Sequence, residues 1–211
     1  MNTRSTFLLL LMCLFLNTPL IAQYKLTLQP NAEEGMVCGI FSHLPNESFD
    51  YYEDFEASAW TARGKKAVVR TLINFNLSEI PDNAIIEKAY LSLYTIYSFS
   101  TGYHTSSGGS NECLLQLIKS DWDHKTVNWA SQPSTTTEDQ VILIESVAYN
   151  EDYEDIDVTT FIQKMKFDPE NNFGFMMKLR TEKPYRRMHF ASSNCPNEKY
   201  HPKLEVFYSL R

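Results

Sequence analysis

The side chains best equipped for chemistry in this sequence are aromatic rings and guanidinium groups that lie outside its apolar runs. Tyr51, Tyr52, Trp60, Tyr97, Tyr103 and Tyr185 all fall in or beside polar segments. Flat aromatic faces pack against the C–H-rich faces of sugar rings, and planar polar groups take the hydroxyls. Arg63, Lys65 and Lys66, and later Arg180, Lys183, Arg186 and Arg187, supply local positive charge. A guanidinium captures a sugar carboxylate through two parallel hydrogen bonds. Taken singly, each aromatic is better explained as core or rim packing, whereas the group as a whole leaves at least one platform exposed. Arg70 stands between Val68 and Leu72, on the face opposite Ile73 and Phe75. An Arg placed there either pairs with a carboxylate or projects into a binding surface, and pairing is favoured. The candidate ligand-binding set is therefore Tyr51, Tyr52, Trp60, Arg63, Arg70, Tyr103, Arg186 and Arg187.

Other chemistries find less support. No Gly-x-Ser-x-Gly elbow is present, and Cys195 has only sequence neighbours, His189 and His201, to suggest a dyad. The pairs Cys38/His43 and Cys195/His201 match no familiar zinc spacing. Calcium takes hard oxygen ligands, which two acidic clusters could offer: Asp50, Glu53, Asp54, Glu56, and Glu151, Asp152, Glu154, Asp155, Asp157. Neither cluster has the spaced Asp-x-Asp-x-Asp-Gly pattern, so solvated acidic loops are the stronger reading. Glycoside cleavage needs two carboxylates about 5–10 Å apart. Among 26 acidic residues no pair is singled out. No catalytic set and no cofactor are expected, and calcium is the one cation kept in view.

The elements that must position these side chains are mostly strands. Val69, Thr71, Ile73, Phe75 and Leu77 alternate with Arg70, Leu72, Asn74 and Asn76, and the first set is the expected core face. Ala89–Tyr97, Cys113–Lys119, Val141–Val147, Phe173–Arg180, Arg187–Ser192 and the stretch around Leu204, Val206 and Tyr208 are further strand candidates. One helix has start and stop signals: Asp157 as N-cap, Thr160–Lys166 as body and Pro169 beyond its end, with Phe161, Ile162 and Met165 on one face. Asn46–Glu56, Thr101–Ser110 and Gln132–Gln140 read as loops, and the second is the most flexible by composition. Short strands divided by turns predict an antiparallel β-sandwich or barrel.

The start of the chain carries Arg4, then the ten-residue apolar run Phe7–Leu16, then a more polar stretch to Ala22. This is the layout of a secretory signal, and the run is half the roughly 20 residues that cross a bilayer. Residues 1–22 are read as a cleaved signal peptide, and residues 23–211 as one exported domain, extracellular, at the cell surface or in the periplasm. A net charge of −7 disfavours nucleic acid as a partner. Cys38, Cys113 and Cys195 are too few for a disulfide scaffold and read as buried or idle thiols, with their pairing left open.

Several segments together are fairly specific. Arg70, Leu72, Phe75, Leu77, Ile80 and Pro81, followed by Ile86, Ala89, Leu91 and Leu93, resemble the opening signature of the DNRLRE domain, which overlaps carbohydrate-binding module family 96. Trp122, Thr126, Val127, Trp129 and Pro133 resemble its two-tryptophan turn. Asp157-Val158-Thr159 resembles the start of its helix. Phe173, Gly174 and Phe175, then Phe190 to Ser193, then His201, Pro202, Leu204 and Val206 resemble its closing strands. The chain departs from the pattern with Asn76 in place of Asp and Asp123 in place of Glu. The resemblance implies a jelly-roll-like antiparallel β-sandwich with one short helix. It also implies non-catalytic binding of alginate or another polysaccharide, a uronate-rich polymer being one option. No attached catalytic domain is visible, which leaves an adhesive module with a surface protein partner as the alternative.

Overall fold

The computed structural model describes residues 22–98 and 102–211, so all but Ala22 of the expected signal peptide lies outside the described residues. Among the described residues eleven strands form two antiparallel sheets. The first sheet has four strands, β1 (Tyr24–Leu28), β11 (Lys203–Leu210), β5 (Ala84–Leu93) and β8 (Tyr153–Asp157), in that order. The second has seven. The path β10 (Arg186–Ala191), β3 (Asp54–Ala62), β4 (Lys65–Asn74), β9 (Phe175–Leu179), β6 (Cys113–Leu117) and β7 (Val141–Leu143) is joined by β2 (Met36–Phe41), which pairs with β4. The main core draws on both sheets, with Leu91, Leu93, Leu204 and Val206 from one and Phe55, Ile73, Leu115, Phe175 and Phe190 from the other. The β-sandwich expected from the alternating pattern is the architecture found.

β3 and β4 are joined by the two-residue turn Arg63-Gly64, with Ala62 opposite Lys65. Both turn residues have positive φ, 49° and 75°, which is the backbone of a type I′ hairpin. Val69, Thr71, Ile73, Phe75 and Leu77 are all buried, as the alternation predicts. Leu72, on the opposite side, is buried as well. It joins Cys38, Ile40, Ile118, Val127 and Met176 in a second cluster, against which Trp122, Trp129 and Phe173 pack. The two-tryptophan segment is thus a roof on the outer face of the larger sheet, pinned where Trp122 Nε1 donates to the Phe173 carbonyl at 2.8 Å.

The one α-helix among the described residues, α1, spans Thr159–Phe167 and buries Phe161, Ile162 and Met165, the face read from sequence. Its cap lies one residue later than Asp157. Val158 occupies the N-cap position, while the Asp157 carboxylate accepts the Thr159 N–H from outside it. Three other expectations are corrected. The strand placed over Val141–Val147 stops at Leu143, because the backbone then turns to Asn111, whose Oδ1 accepts the Ser146 N–H. The acidic stretch Tyr153–Asp157 is a strand against β5, not a loop. The Gly/Ser-rich loop is tied down along Gly102–Ser110: Thr105 bridges Arg187, and Gly108 N–H donates to the Tyr185 carbonyl at 2.8 Å. Cys38, Cys113 and Cys195 are free and buried, and burial pushes the thiols of Cys38 and Cys113 up. No helix among the described residues is long and apolar enough to cross a membrane.

Candidate functional site

The chain between β2 and β3 passes Phe49, Tyr51 and Tyr52 before it enters the sheet at Asp54. Phe49 pairs by a backbone bridge with Gly39 of β2, and Phe41, Phe49 and Tyr52 then pack together: Phe41–Phe49 centroids lie 4.4 Å apart, and Phe49–Tyr52 are stacked at 5.6 Å and 7°. Tyr51 leans on Tyr52 at 4.7 Å. The backbone under these rings is held by the segment that follows β10, the neighbour of β3. Ser192 Oγ donates to the Tyr52 carbonyl at 2.5 Å, and Asn194 Nδ2 donates to the Asp50 carbonyl at 2.8 Å. The buried Phe49 and the half-buried Phe41 therefore anchor two exposed rings, an arrangement that holds a stacking face in place.

Phe41, Tyr51 and Tyr52 border a cleft of about 620 Å³, whose other walls include Asp54, Glu56, Val69, Ile96, Tyr97 and Ser98. That size suits one or two sugar rings, within the usual range for small-molecule pockets. Tyr51 is 62% exposed, Tyr97 54% and Tyr52 41%, so their faces are open to solvent. Burial, followed by the hydrogen bond with Tyr51, pushes the Tyr52 hydroxyl up to about 12, so it stays protonated at any physiological pH.

A buried polar layer supports the cleft floor. Glu56 accepts from Ser58 Oγ at 2.8 Å, and its other oxygen lies 3.7 Å from Arg187 Nε. Burial raises the Glu56 carboxyl, against the opposing pull of Arg187 and Ser58. Asp54 lies 3.1 Å from His189 Nε2. Burial would raise its carboxyl, but His189, Ser98 and Arg187 together bring it below the usual value. His104 Nδ1 accepts the His189 N–H at 2.9 Å, and its Nε2 lies 2.8 Å from the Glu151 carbonyl. An imidazole with one nitrogen accepting from a backbone N–H is neutral there, with its proton on Nε2.

The sequence-derived candidates separate into groups. Tyr51 and Tyr52 share the cleft. Tyr103 stands behind its rim, 5.3 Å from Tyr97 and 5.2 Å from Tyr149. Arg187 lies beneath the cleft floor and is 8% exposed; its Nε donates to the Tyr103 carbonyl at 2.9 Å, so it is a positioning group and not a surface cation. Trp60 and Tyr185 form a separate exposed pair, edge to face at 5.1 Å, near the hairpin that carries Arg63, Lys65 and Lys66. Arg186 is drawn inward to the Gly108 carbonyl. Arg70 does not line the cleft. It makes a bidentate pair with Glu182 at 2.7 and 3.1 Å, donates to Gln132 Oε1 at 2.7 Å and lies 4.7 Å from the Trp129 ring centroid. Sequence reasoning missed Phe41 and Phe49. The combination of acidic and aromatic residues over Asn46–Glu56 was the available signal for this cleft, and the same residues were weighed as calcium ligands instead. Among the described residues no three His, Cys, Asp or Glu side chains converge in a way that could hold a metal ion. In the second acidic cluster Glu151 Oε2 accepts the Val147 N–H at 2.6 Å, and Asp152 Oδ1 accepts the Thr95 N–H at 2.7 Å, so both carboxylates brace backbone.

No curated protein matches the chain. A family match does cover most of it, and it includes the opening strand, the tryptophan roof, the helix and the closing strands already described. Residues 56–208 fit the sequence model of one family, and the chain belongs to carbohydrate-binding module family 96.

Proposed function

We propose that this chain is an exported, non-catalytic polysaccharide-binding module whose ligand lies in the Tyr51/Tyr52/Tyr97 cleft. The observation that carries the reading is a rigid, solvent-open tyrosine face beside recessed carboxylates that can accept sugar hydroxyls. Family membership supports carbohydrate as the ligand class. The apolar run near the start supports export, to the cell surface, the periplasm or the medium. For uronate-rich polymers the available basic side chains lie elsewhere, at Arg63, Lys65 and Lys66 beside Trp60 and Tyr185. The test is affinity electrophoresis of the full chain against neutral and uronic polysaccharides. Retardation in at least one gel, lost on Tyr52→Ala, is expected; free migration in every gel would sink the reading.

A further inference from the structure

Apart from its tyrosines, the ionisable side chains that line the tyrosine cleft are all carboxyl groups. Among its lining residues are Glu53, Asp54 and Glu56, and no Lys, Arg or His. The nearest basic side chains already have partners below it: Arg187 faces Glu56 and the Tyr103 carbonyl, and His189 faces Asp54. Glu53 is exposed at the cleft mouth. The chain as a whole, at −7, adds no long-range attraction for anions. From this geometry we infer that the cleft selects neutral sugar residues and turns away uronates, so that any binding of acidic polymer by this chain occurs outside it. The inference rests on the cleft being the saccharide site.

The chemistry follows from what each group can do. A carboxylate accepts hydrogen bonds but donates none, so it suits a hydroxyl and opposes another carboxylate. A uronate differs from its neutral hexose by having a carboxylate in place of a hydroxymethyl group. In the cleft that carboxylate would face like charges with no unpaired guanidinium to meet it. Like charges at this range in a partly desolvated site are worth about a ten-fold loss of affinity or more.

The test compares one backbone in two forms: polygalacturonate and the same polymer with its carboxyls reduced to hydroxymethyl groups. Both are run with the full chain by affinity electrophoresis in EDTA, which removes cation bridging, with a neutral β-glucan and a mannan alongside. Retention of the reduced polymer at least about ten-fold stronger than the parent, and lost on Tyr52→Ala, is expected. The exposed Glu53→Gln variant should narrow the gap by improving the parent. Parent polymer that is retained despite Tyr52→Ala also agrees, since it binds elsewhere. Parent polymer retained as well as its reduced form, and released by Tyr52→Ala, overturns the inference while leaving polysaccharide binding at the cleft intact. No retention of any polymer overturns both.

Discussion

Two exposed aromatic regions lie at opposite ends of one strand, β3, and differ in what surrounds them. At its start, Tyr51 and Tyr52 lead into Asp54 and Glu56, and the rings stand over carboxylates. At its other end, Trp60 meets Tyr185 beside the Arg63-Gly64 hairpin and Lys65 and Lys66. The first region is a cleft, backed by Phe41, the buried Phe49 and a recessed ionic layer. The second is an exposed turn with Arg63 and Lys65 at the surface and Lys66 donating to the Glu182 carbonyl at 3.2 Å. Aromatic content alone does not distinguish a binding site from a surface patch. The difference lies in what holds the rings still and in which groups lie within reach of a ligand.

The largest effect that would sharpen this contrast concerns the layer under the cleft. Arg187→Ala leaves Glu56 in a poorly solvated place without its cation, and breaking a buried pair costs about 3–5 kcal/mol. The urea midpoint should fall accordingly, whereas Arg63→Ala at the hairpin should leave it within about 0.5 kcal/mol. Equal shifts for the two variants would break the comparison. Next comes binding: Tyr52→Ala should weaken retention on a neutral polysaccharide by about ten-fold, the worth of one stacked ring, measured by titration calorimetry. A change under two-fold would remove Tyr52 from the site.

A pH effect of intermediate size comes from the same layer. Burial holds the His104 imidazole below its ordinary 6.5, outweighing the Glu151 carbonyl that favours the cation, and nearby His189 and Arg187 depress it further. The unfolded chain therefore takes up the proton first as pH falls. The contribution of His104 is complete above about 6.5 and is lost as pH drops toward the depressed folded value, at up to about 1.4 kcal/mol per pH unit. Glu56 has the opposite sign: its raised carboxyl favours the folded state when protonated, so that contribution disappears as pH rises through the folded value. The measurement is the difference in the slope of stability against pH between the native chain and His104→Gln. The variant should be flatter from pH 6.5 downward, and an unchanged slope would show that His104 carries none of it. The smallest expected effect is Trp60→Ala, which should alter retention on neutral polymer by less than about two-fold. A ten-fold loss would move the site to the hairpin.

The sandwich and the helix were legible because period two and period 3.6 leave a direct imprint on burial: Ile73 and Phe75 in the sheet, Phe161, Ile162 and Met165 in α1. The second core was not. Leu72 read as an outward residue of an alternating strand, and nothing local announces that a loop some fifty residues downstream covers it. Arg70 illustrates the same limit. Its neighbours in sequence placed it on the outer face, but only the fold reveals Glu182, Gln132 and Trp129 around it. The cleft was half legible. Tyr51 and Tyr52 stand out in a polar, acidic stretch, whereas nothing local marks Phe41, because its place beside them depends on the pairing of β2 with β4. Arg187 was chosen as a surface cation and lies under the floor. Its burial depends on the pairing of β10 with β3, which sequence patterning does not supply.

The tryptophan roof has one more consequence, which is optical. The chain has three tryptophans. Trp122 and Trp129 pack on the second core, and Trp60 stands at the hairpin, while the cleft is lined by tyrosines and phenylalanines. A ligand that settles in the cleft should leave the indole emission maximum where it is, and one that settles at the hairpin should shift it and protect Trp60 from acrylamide quenching. The emission of the unlabelled chain thus reports which of its two aromatic faces is occupied.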